Sequence, residues 1–188
     1  MGFLKGKTAI ITGGGRSVLK DGSCGSIGYG IATAYAKEGA NLVITGRNKQ
    51  KLADAKEELE RLYNIEVLPV QADVSAGADN ETVVRNVIDE TIAKFGRIDV
   101  LINNAQASAS GVAANEWGPD GINANIICPL AWTAQLENFQ QAYPEAFEAN
   151  VKMPPAGHYG DVEKEIGRVC VQLASPDFKY MNGETHLP

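Results

Sequence analysis

The residues best suited to chemistry stand near the start of the chain, and the chemistry they suit is the holding of an anion. Thr8-Ala9-Ile10-Ile11-Thr12 is an apolar, β-branched run of strand length, and Gly13, Gly14 and Gly15 come directly after it. Ser26-Ile27-Gly28-Tyr29-Gly30-Ile31-Ala32 then opens a helical pattern, with Ile31, Ala34 and Tyr35 at helical spacing and Gly39 as its stop. Glycine lets a backbone come close to a pyrophosphate, and the first turn of a helix adds free N–H groups and the positive end of a dipole. Strand, glycine turn and helix in this order predict a phosphate cradle. Glycines also punctuate ordinary loops, so these glycines alone do not separate a cradle from a plain turn.

The elements that must carry this cradle alternate. Residues 49 to 63 read as an amphipathic helix with Leu52, Ala55, Leu59 and Leu62 on one face. Residues 80 to 95 give another through Val83, Val84, Val87, Ile88 and Ile92, closed by Gly96. Strand-like runs stand at 41 to 45, before the first of these helices, and at 67 to 70, between the two, with further ones at 98 to 102 and 122 to 127. Strands alternating with helices predict an α/β fold on a parallel sheet, and the last two runs are apolar enough to be buried on both faces. They are expected to pair directly. The connection of residues 106 to 121 is long enough for a parallel crossover, yet too short for a full covering helix, so one face of the sheet is expected to be poorly covered. Residues 134 to 152, broken near Pro144, and 161 to 174 supply two further helices.

Thr12-Gly13 ahead of Ser26-Ile27-Gly28, then Asp73-Val74, Asn103-Asn104-Ala105 and Ile122-Asn123-Ala124-Asn125-Ile126-Ile127-Cys128-Pro129 resemble, in order, landmarks of the short-chain dehydrogenase/reductase family. Pro155-Ala156-Gly157-His158-Tyr159-Gly160 and Asn182-Gly183 extend the resemblance over nearly the whole chain. It implies a Rossmann-like, doubly wound parallel sheet in a single domain, residues 1–188, that binds NAD(H) or NADP(H). The cofactor-binding residues it implies are Gly13, Ser26, Ile27, Gly28, Asp73, Val74, Asn104, Ala105 and Thr133, with Asp73 bonding the adenine; by itself Asp73 also reads as a turn-former. The chain departs from the family pattern in several places. Residues 14 to 25 enlarge the first turn, Ser26 replaces its middle glycine, and Gln106 and Leu130 stand where glycines are usual. Thr133 lies one residue closer to Pro129 than the family's threonine does. The Ser26 to Ala32 wording resembles the enoyl-carrier-protein reductase branch, although Lys20 stands at that branch's earlier glycine.

The largest departure falls at the junction of Val112 and Ala113. In the family, the strand ending in Asn-Asn-Ala leads to a long helix, a strand with a catalytic serine and a helix bearing Tyr-x-x-x-Lys. Two helices and a strand with their loops occupy on the order of forty residues or more, whereas only residues 104 to 122 separate Asn103 from Asn123. Tyr29, Tyr35, Tyr63, Tyr143, Tyr159 and Tyr180 are followed four positions later by Thr33, Gly39, Val67, Phe147, Glu163 and Glu184, never by lysine. The expectation is a sheet reduced by an internal deletion, with no catalytic residue of the family's kind and a second, smaller piece missing after Glu184-Thr185-His186-Leu187-Pro188. In this family the tyrosine donates the proton to the developing alkoxide, so a cofactor site alone does not complete the reaction. His158 and Tyr159 could be imagined as substitutes; a loop aromatic and an ordinary exposed histidine with nothing nearby to tune them is the favoured reading.

Cofactor preference rests on Arg47. The second strand runs into Gly46-Arg47-Asn48 at about the place, roughly twenty positions beyond the glycine turn, where an NAD site carries an acid, and no acid is there. A guanidinium fork suits a ribose 2′-phosphate, which favours NADP(H) over NAD(H). Arg47 has a second reading as a solvated residue at the entrance to a helix capped by Asn48, and Arg16 could add charge.

Composition sets outer limits. The chain has 188 residues, 44% hydrophobic, with a formal net charge of −6, which suits one globular domain and disfavours nucleic acid or an anionic membrane as partner. It has no span-length apolar run and no secretion-signal pattern. Three separated cysteines, Cys24, Cys128 and Cys170, fit a reducing cytoplasm, and Cys24 in the enlarged turn is the one expected to be exposed. No metal-binding motif is present. Three functions remain open: an NADP(H)-dependent oxidoreductase whose catalytic segment is missing here, a dinucleotide binder without turnover, and a nonfunctional fragment. The small-molecule substrate is not legible, and a homo-oligomer would have to form without the helices that build the family's dimer.

Overall fold

The computed structural model of the protein describes residues 2–74, 79–104 and 110–186. Four parallel strands, β1 (Thr8–Thr12), β2 (Asn41–Gly46), β3 (Val67–Gln71) and β4 (Val100–Ile102), form a sheet of order β3-β2-β1-β4. Ala9 stands opposite Leu42 on one side and Val100 on the other. Pro69 fits β3 because β3 is an edge strand. Helices α1 (Ile27–Lys37), α2 (Lys49–Tyr63) and α3 (Asn80–Phe95) connect the strands. The chain continues through α4 (Ser110–Trp117), β5 (Ile126–Ile127), α5 (Ala134–Ala142), α6 (Pro144–Asn150), a π-helical turn (Val162–Gly167) that runs into α7 (Arg168–Leu173), and β6 (Thr185–His186). This is the Rossmann-like α/β arrangement that the alternating pattern predicts.

Successive side chains of a strand point to opposite faces, and the two faces are covered differently. Ala9, Ile11, Leu42 and Ile44 enter a large cluster with Tyr29, Tyr35, Leu52, Leu59 and Val171, contributed by α1, α2 and α7. Helix α1 seats closely here because Gly30 has no side chain: a Cβ at that position would stand 2.4 Å from the carbonyl oxygen of Val162. The Tyr35 hydroxyl donates to the Cys170 carbonyl at 2.9 Å, which satisfies it inside the core. On the opposite face, Ile10, Val43 and Val70 meet Val87 of α3 in a smaller cluster.

Three expectations are corrected. β4 does not pair with β5: β4 pairs with β1, and β5 pairs with β6 in a separate two-stranded parallel sheet. Neither run is buried on both faces, since Leu101 is 52% exposed and Ile126 and Ile127 are half-buried. Of the apolar residues expected to seat α3, Val87 alone is buried, while Val84, Ile88 and Ile92 face outward, and Leu62 of α2 is also exposed. Amphipathic spacing specifies which face is apolar; it does not supply the partner that covers it.

The asparagines of the Ile122 to Ile127 stretch acquire a structural role. Asn123 Nδ2 donates to the carbonyls of Phe178 and Lys179, and Asn125 Nδ2 to that of Met181. Asn182 returns the contact by accepting from the Ala124 N–H and donating to the Ala114 carbonyl. These side chains bind the β5 segment to the β6 segment where the strands themselves are only two residues long.

Candidate dinucleotide site

The C-terminal ends of β1, β2 and β4 open on a cavity of about 660 Å³. Gly13 leaves β1 in the left-handed region, at φ 73°, and its N–H donates to the Thr45 carbonyl at the end of β2. The Asn104 side-chain amide donates to the Thr12 carbonyl at 3.0 Å, and the Thr12 hydroxyl donates to the Ile102 carbonyl at 3.3 Å. The strand ends are thus stitched by polar contacts, and the glycine turn is held against them. A Cβ at Gly28 would stand 2.3 Å from the Gly13 carbonyl oxygen and 2.8 Å from Asn104 Nδ2, so only glycine permits the first turn of α1 to sit here.

Ser26 occupies the N-cap position of α1, yet its side chain accepts no bond from the helix. Its Oγ is buried and has no hydrogen-bond partner among the described residues. A buried hydroxyl without a partner is costly, and one at the mouth of a helix N-terminus is placed to meet an anionic oxygen. Glycine contour, orphaned hydroxyl and helix end together fit a pyrophosphate.

Gly13, Ser26, Ile27, Gly28, Arg47, Asn104 and Thr133 all line this one cavity. Arg47 is exposed at the end of β2, its carbonyl accepts from Gln71 Nε2, and its guanidinium has no ion-pair partner among the described residues. Asn48 caps α2 by accepting from the Lys51 N–H at 3.0 Å. Thr133 caps α5, accepting from the Leu136 N–H at 3.3 Å. Asp73 and Val74 follow β3 and are not among the residues lining the cavity; Val74 packs against the smaller cluster. Ala105 lies outside the described residues.

Lys51 is a lining residue that sequence reasoning missed. Its position three residues after the Asn48 cap, in the first turn of α2, was the available signal. Arg16, by contrast, is turned away: its guanidinium donates to the Glu58 carboxylate, and that bond raises the guanidinium pKa. It adds no free charge to the cavity.

Two further expectations change. Cys24 is partly buried, its thiol 3.5 Å from the Thr33 hydroxyl, while Cys128 is exposed. Burial pushes the Cys24 thiol up to about 11, which leaves it protonated and unreactive at neutral pH. His158 does have a neighbour that tunes it: its Nε2 lies 3.0 Å from Glu165 Oε1, and this bond raises its pKa. The Tyr159 hydroxyl donates to the Lys152 carbonyl and is not paired with the histidine. No group of His, Cys, Asp and Glu among the described residues is arranged to hold a metal. No helix among them is long and apolar enough to cross a membrane.

Residues 7–112 match the family model described as short chain dehydrogenase, and residues 105–187 match that described as Enoyl-(Acyl carrier protein) reductase. The chain belongs to the short-chain dehydrogenase/reductase family of oxidoreductases. It is 48% identical to 12alpha-hydroxysteroid dehydrogenase of Clostridium sp. (strain ATCC 29733 / VPI C48-50), across 98% of this chain and 96% of that protein. That alignment runs over 255 positions, more than the 188 residues of this chain, so the relative contains stretches with no counterpart here. With 11-beta-hydroxysteroid dehydrogenase A of Sesamum indicum the identity is 40% over 91 residues, 48% of this chain, and the chain spans only 25% of that relative's length. Among solved structures, a short-chain dehydrogenase/reductase from Burkholderia xenovorans superposes with a TM-score of 0.83 at 18% identity, covering 100% of this chain and 96% of that one. L-sorbose reductase from Gluconobacter frateurii, complexed with NADPH and L-sorbose, gives 0.79 at 20% identity, covering 98% and 95%. At such identities the structural matches speak for the fold.

Proposed function

We propose that this chain is the NADP(H)-binding framework of a hydroxysteroid-type dehydrogenase from which the catalytic segment at the Val112–Ala113 junction is absent, so that it binds cofactor without turnover. The observation that carries the reading is the cavity in which Ser26 with its orphaned hydroxyl, the Gly13–Gly28 cradle and the exposed Arg47 meet. The excess of alignment positions over residues supports the missing segment, as does the separation of β4 from β5 into different sheets. The 12alpha-hydroxysteroid dehydrogenase relative supports a substrate with a bulky apolar body.

When bound, the nicotinamide supplies the hydride. The chain's own residues then have distinct tasks. Ser26 and the N–H groups of the α1 first turn hold the pyrophosphate. Arg47, with Lys51 beside it, favours a 2′-phosphate, and Asp73 is assigned to the adenine. Asn104 keeps the ends of β1 and β4 in register, and Thr133 caps the helix over the nicotinamide end. Ala105 and Val74 are assigned to the cofactor by the family resemblance alone. Among the described residues, no side chain lining the cavity is set to deliver a proton to an alkoxide, which is why cofactor binding is expected without reduction.

The test is paired titration of NADPH and NADH. An Arg47→Glu change should weaken NADPH by about tenfold or more, the worth of a charged hydrogen bond, while NADH changes little. Equal losses for both cofactors would sink the 2′-phosphate assignment. Insertion of the relative's intervening segment at the Val112–Ala113 junction should restore oxidation of a 12alpha-hydroxysteroid. A second reading, a nonfunctional fragment, is favoured by the exposed Val84, Ile88, Ile92 and Leu101. It expects no rise in melting temperature with NADPH, since a ligand that binds the native state must stabilise it.

A further inference from the structure

The enlarged turn is ordered as a small hairpin. Val18 and Cys24 form an antiparallel bridge, the Leu19 N–H donates to the Ser23 carbonyl, and the Gly25 N–H donates to that of Ser17 at 2.7 Å. Asp21 Oδ1 closes the tip by accepting from the N–H and hydroxyl of Ser23. At one end the hairpin is fastened to α2, through the Arg16–Glu58 ion pair and an Arg16 N–H bond to the Lys51 carbonyl at 2.8 Å. At the other end it is fastened to α5. The Ala134 N–H donates to the Gly25 carbonyl at 2.8 Å, the Lys20 ammonium donates to the Gln141 side-chain carbonyl, and the Lys20 N–H donates to Glu137 Oε2 at 3.3 Å.

These fastenings matter because α5 has no fully buried residue, and its neighbours are held chiefly at Trp132, whose ring packs on Phe147 and Tyr159 and whose backbone N–H donates to the Gly160 carbonyl. Neither α5 nor α6 contains a buried residue, and their mutual contact is an exposed or half-exposed aromatic row in which the Phe139 ring lies about 6 Å from those of Tyr143 and Phe147. Thr133, Ala134, Gln135 and Asn138 nevertheless form one wall of the cofactor cavity. A helix whose apolar residues are at most half-buried depends more than a core helix does on its polar attachments. We infer that Lys20 is a positioning residue: through Gln141 it moors α5 beside the cavity before any ligand arrives, and the hairpin exists to carry it there. By holding that wall, Lys20 also slows the release of a bound cofactor, a second part that rests on the dinucleotide reading of the cavity.

The experiment is amide hydrogen exchange of the full chain without ligand, followed over residues 134 to 142 and 49 to 63, for the wild type, Lys20→Met, Gln141→Leu, the double variant and Gln141→Glu. Lys20→Met and Gln141→Leu should each speed exchange in α5 by about threefold to tenfold, the worth of one intramolecular hydrogen bond, and leave α2 unchanged. The double variant should be no faster than either single one, and Gln141→Glu, which turns the contact into an ion pair, should keep α5 at least as slow as in the wild type. Unchanged α5 exchange in both single variants, or additive effects in the double one, would overturn the assignment. Stopped-flow release of NADPH should quicken in Lys20→Met by a comparable factor, and an unchanged release rate alongside faster exchange would overturn the second part. If the wild type takes up no NADPH, the cofactor reading and that second part fail together, while the exchange data still decide whether Lys20 moors α5.

Discussion

Helices α2 and α3 are similar in length, fifteen and sixteen residues, and both are apolar on one side, yet they end in different states. α2 buries Leu52, Ala55 and Leu59 against β2, β3 and α1, whereas α3 buries Val87 and Thr91 and leaves Val84, Ile88 and Ile92 in solvent. The strands repeat the contrast, for Ile11 and Leu42 are fully buried on the α1 side while Leu101 is exposed in β4. The difference lies in what covers each face among the described residues. On the α1 side the later chain returns, bringing α7 with Cys170 and Val171 into the core. On the α3 side the smaller cluster gains Val87 of α3, while Ala114 of α4 is tied through Asn182 to the β5–β6 unit. An apolar stripe becomes a core only when a second surface meets it.

The largest effect expected from this contrast is in paired truncations. Leu59→Ala should cost about 2–5 kcal/mol, the range for emptying a packed aliphatic site, and Ile88→Ala should stay within about 0.5 kcal/mol, as surface changes do. Urea unfolding of the two variants measures both. Comparable losses would mean that the α3 stripe is covered in solution by something other than this chain. Tyr35→Phe comes next, at about 1 kcal/mol, because it removes a buried hydrogen bond and leaves the Cys170 carbonyl without its donor. A double Ile88→Lys, Ile92→Lys variant should change unfolding free energy by less still, yet reduce self-association in sedimentation, because exposed apolar patches of this kind drive it.

The sequence made most of the first hundred residues legible because each strand and helix carries its own local signal, even where, as for α1, the packing partner at Val162 and Cys170 lies far along the chain. β1, the Gly13 turn, α1, β2, the Asn48 cap and the Gly39 and Gly96 helix stops could all be read, and so could the meeting of Gly13, Ser26, Gly28, Arg47 and Asn104. The fate of β4 and β5 could not be read from their own residues. Ile98 to Ile102 has the composition of a doubly buried strand, and composition does not reveal that β4 ends its sheet among the described residues. Lys51 escaped because a lysine in the first turn of a helix usually faces solvent. The mooring hairpin escaped because its contacts, Lys20 with Gln141 and Arg16 with Glu58, join residues far apart in sequence and obey no periodic pattern.

The half-buried strand β4 is held differently from its neighbours, and pH offers the finest measure of that. Its ends are fixed by polar groups, Asn104 at one and Asp99 at the other. Asp99 accepts from the Thr8 N–H at 2.9 Å and from Arg97 and Lys7. Burial pushes its carboxyl upward, but the bonds from Arg97, the Thr8 N–H and Lys7 outweigh this and hold its pKa below the ordinary value. A carboxylate depressed in the folded state contributes stability above its unfolded pKa of about 3.9, and that contribution is lost as pH falls through the lower, folded value. The wild type should therefore lose this part of its stability on acidification from about pH 4 downward, whereas Asp99→Asn, which keeps an acceptor for Thr8 but no titrating charge, should be less stable at pH 7 and show a shallower fall. Melting curves at pH 7, 5, 4 and 3 measure the difference. Parallel slopes for the two proteins would mean that β4 is anchored chiefly by Asn104 and its ladder with β1, and that the ionic foot of the strand adds little.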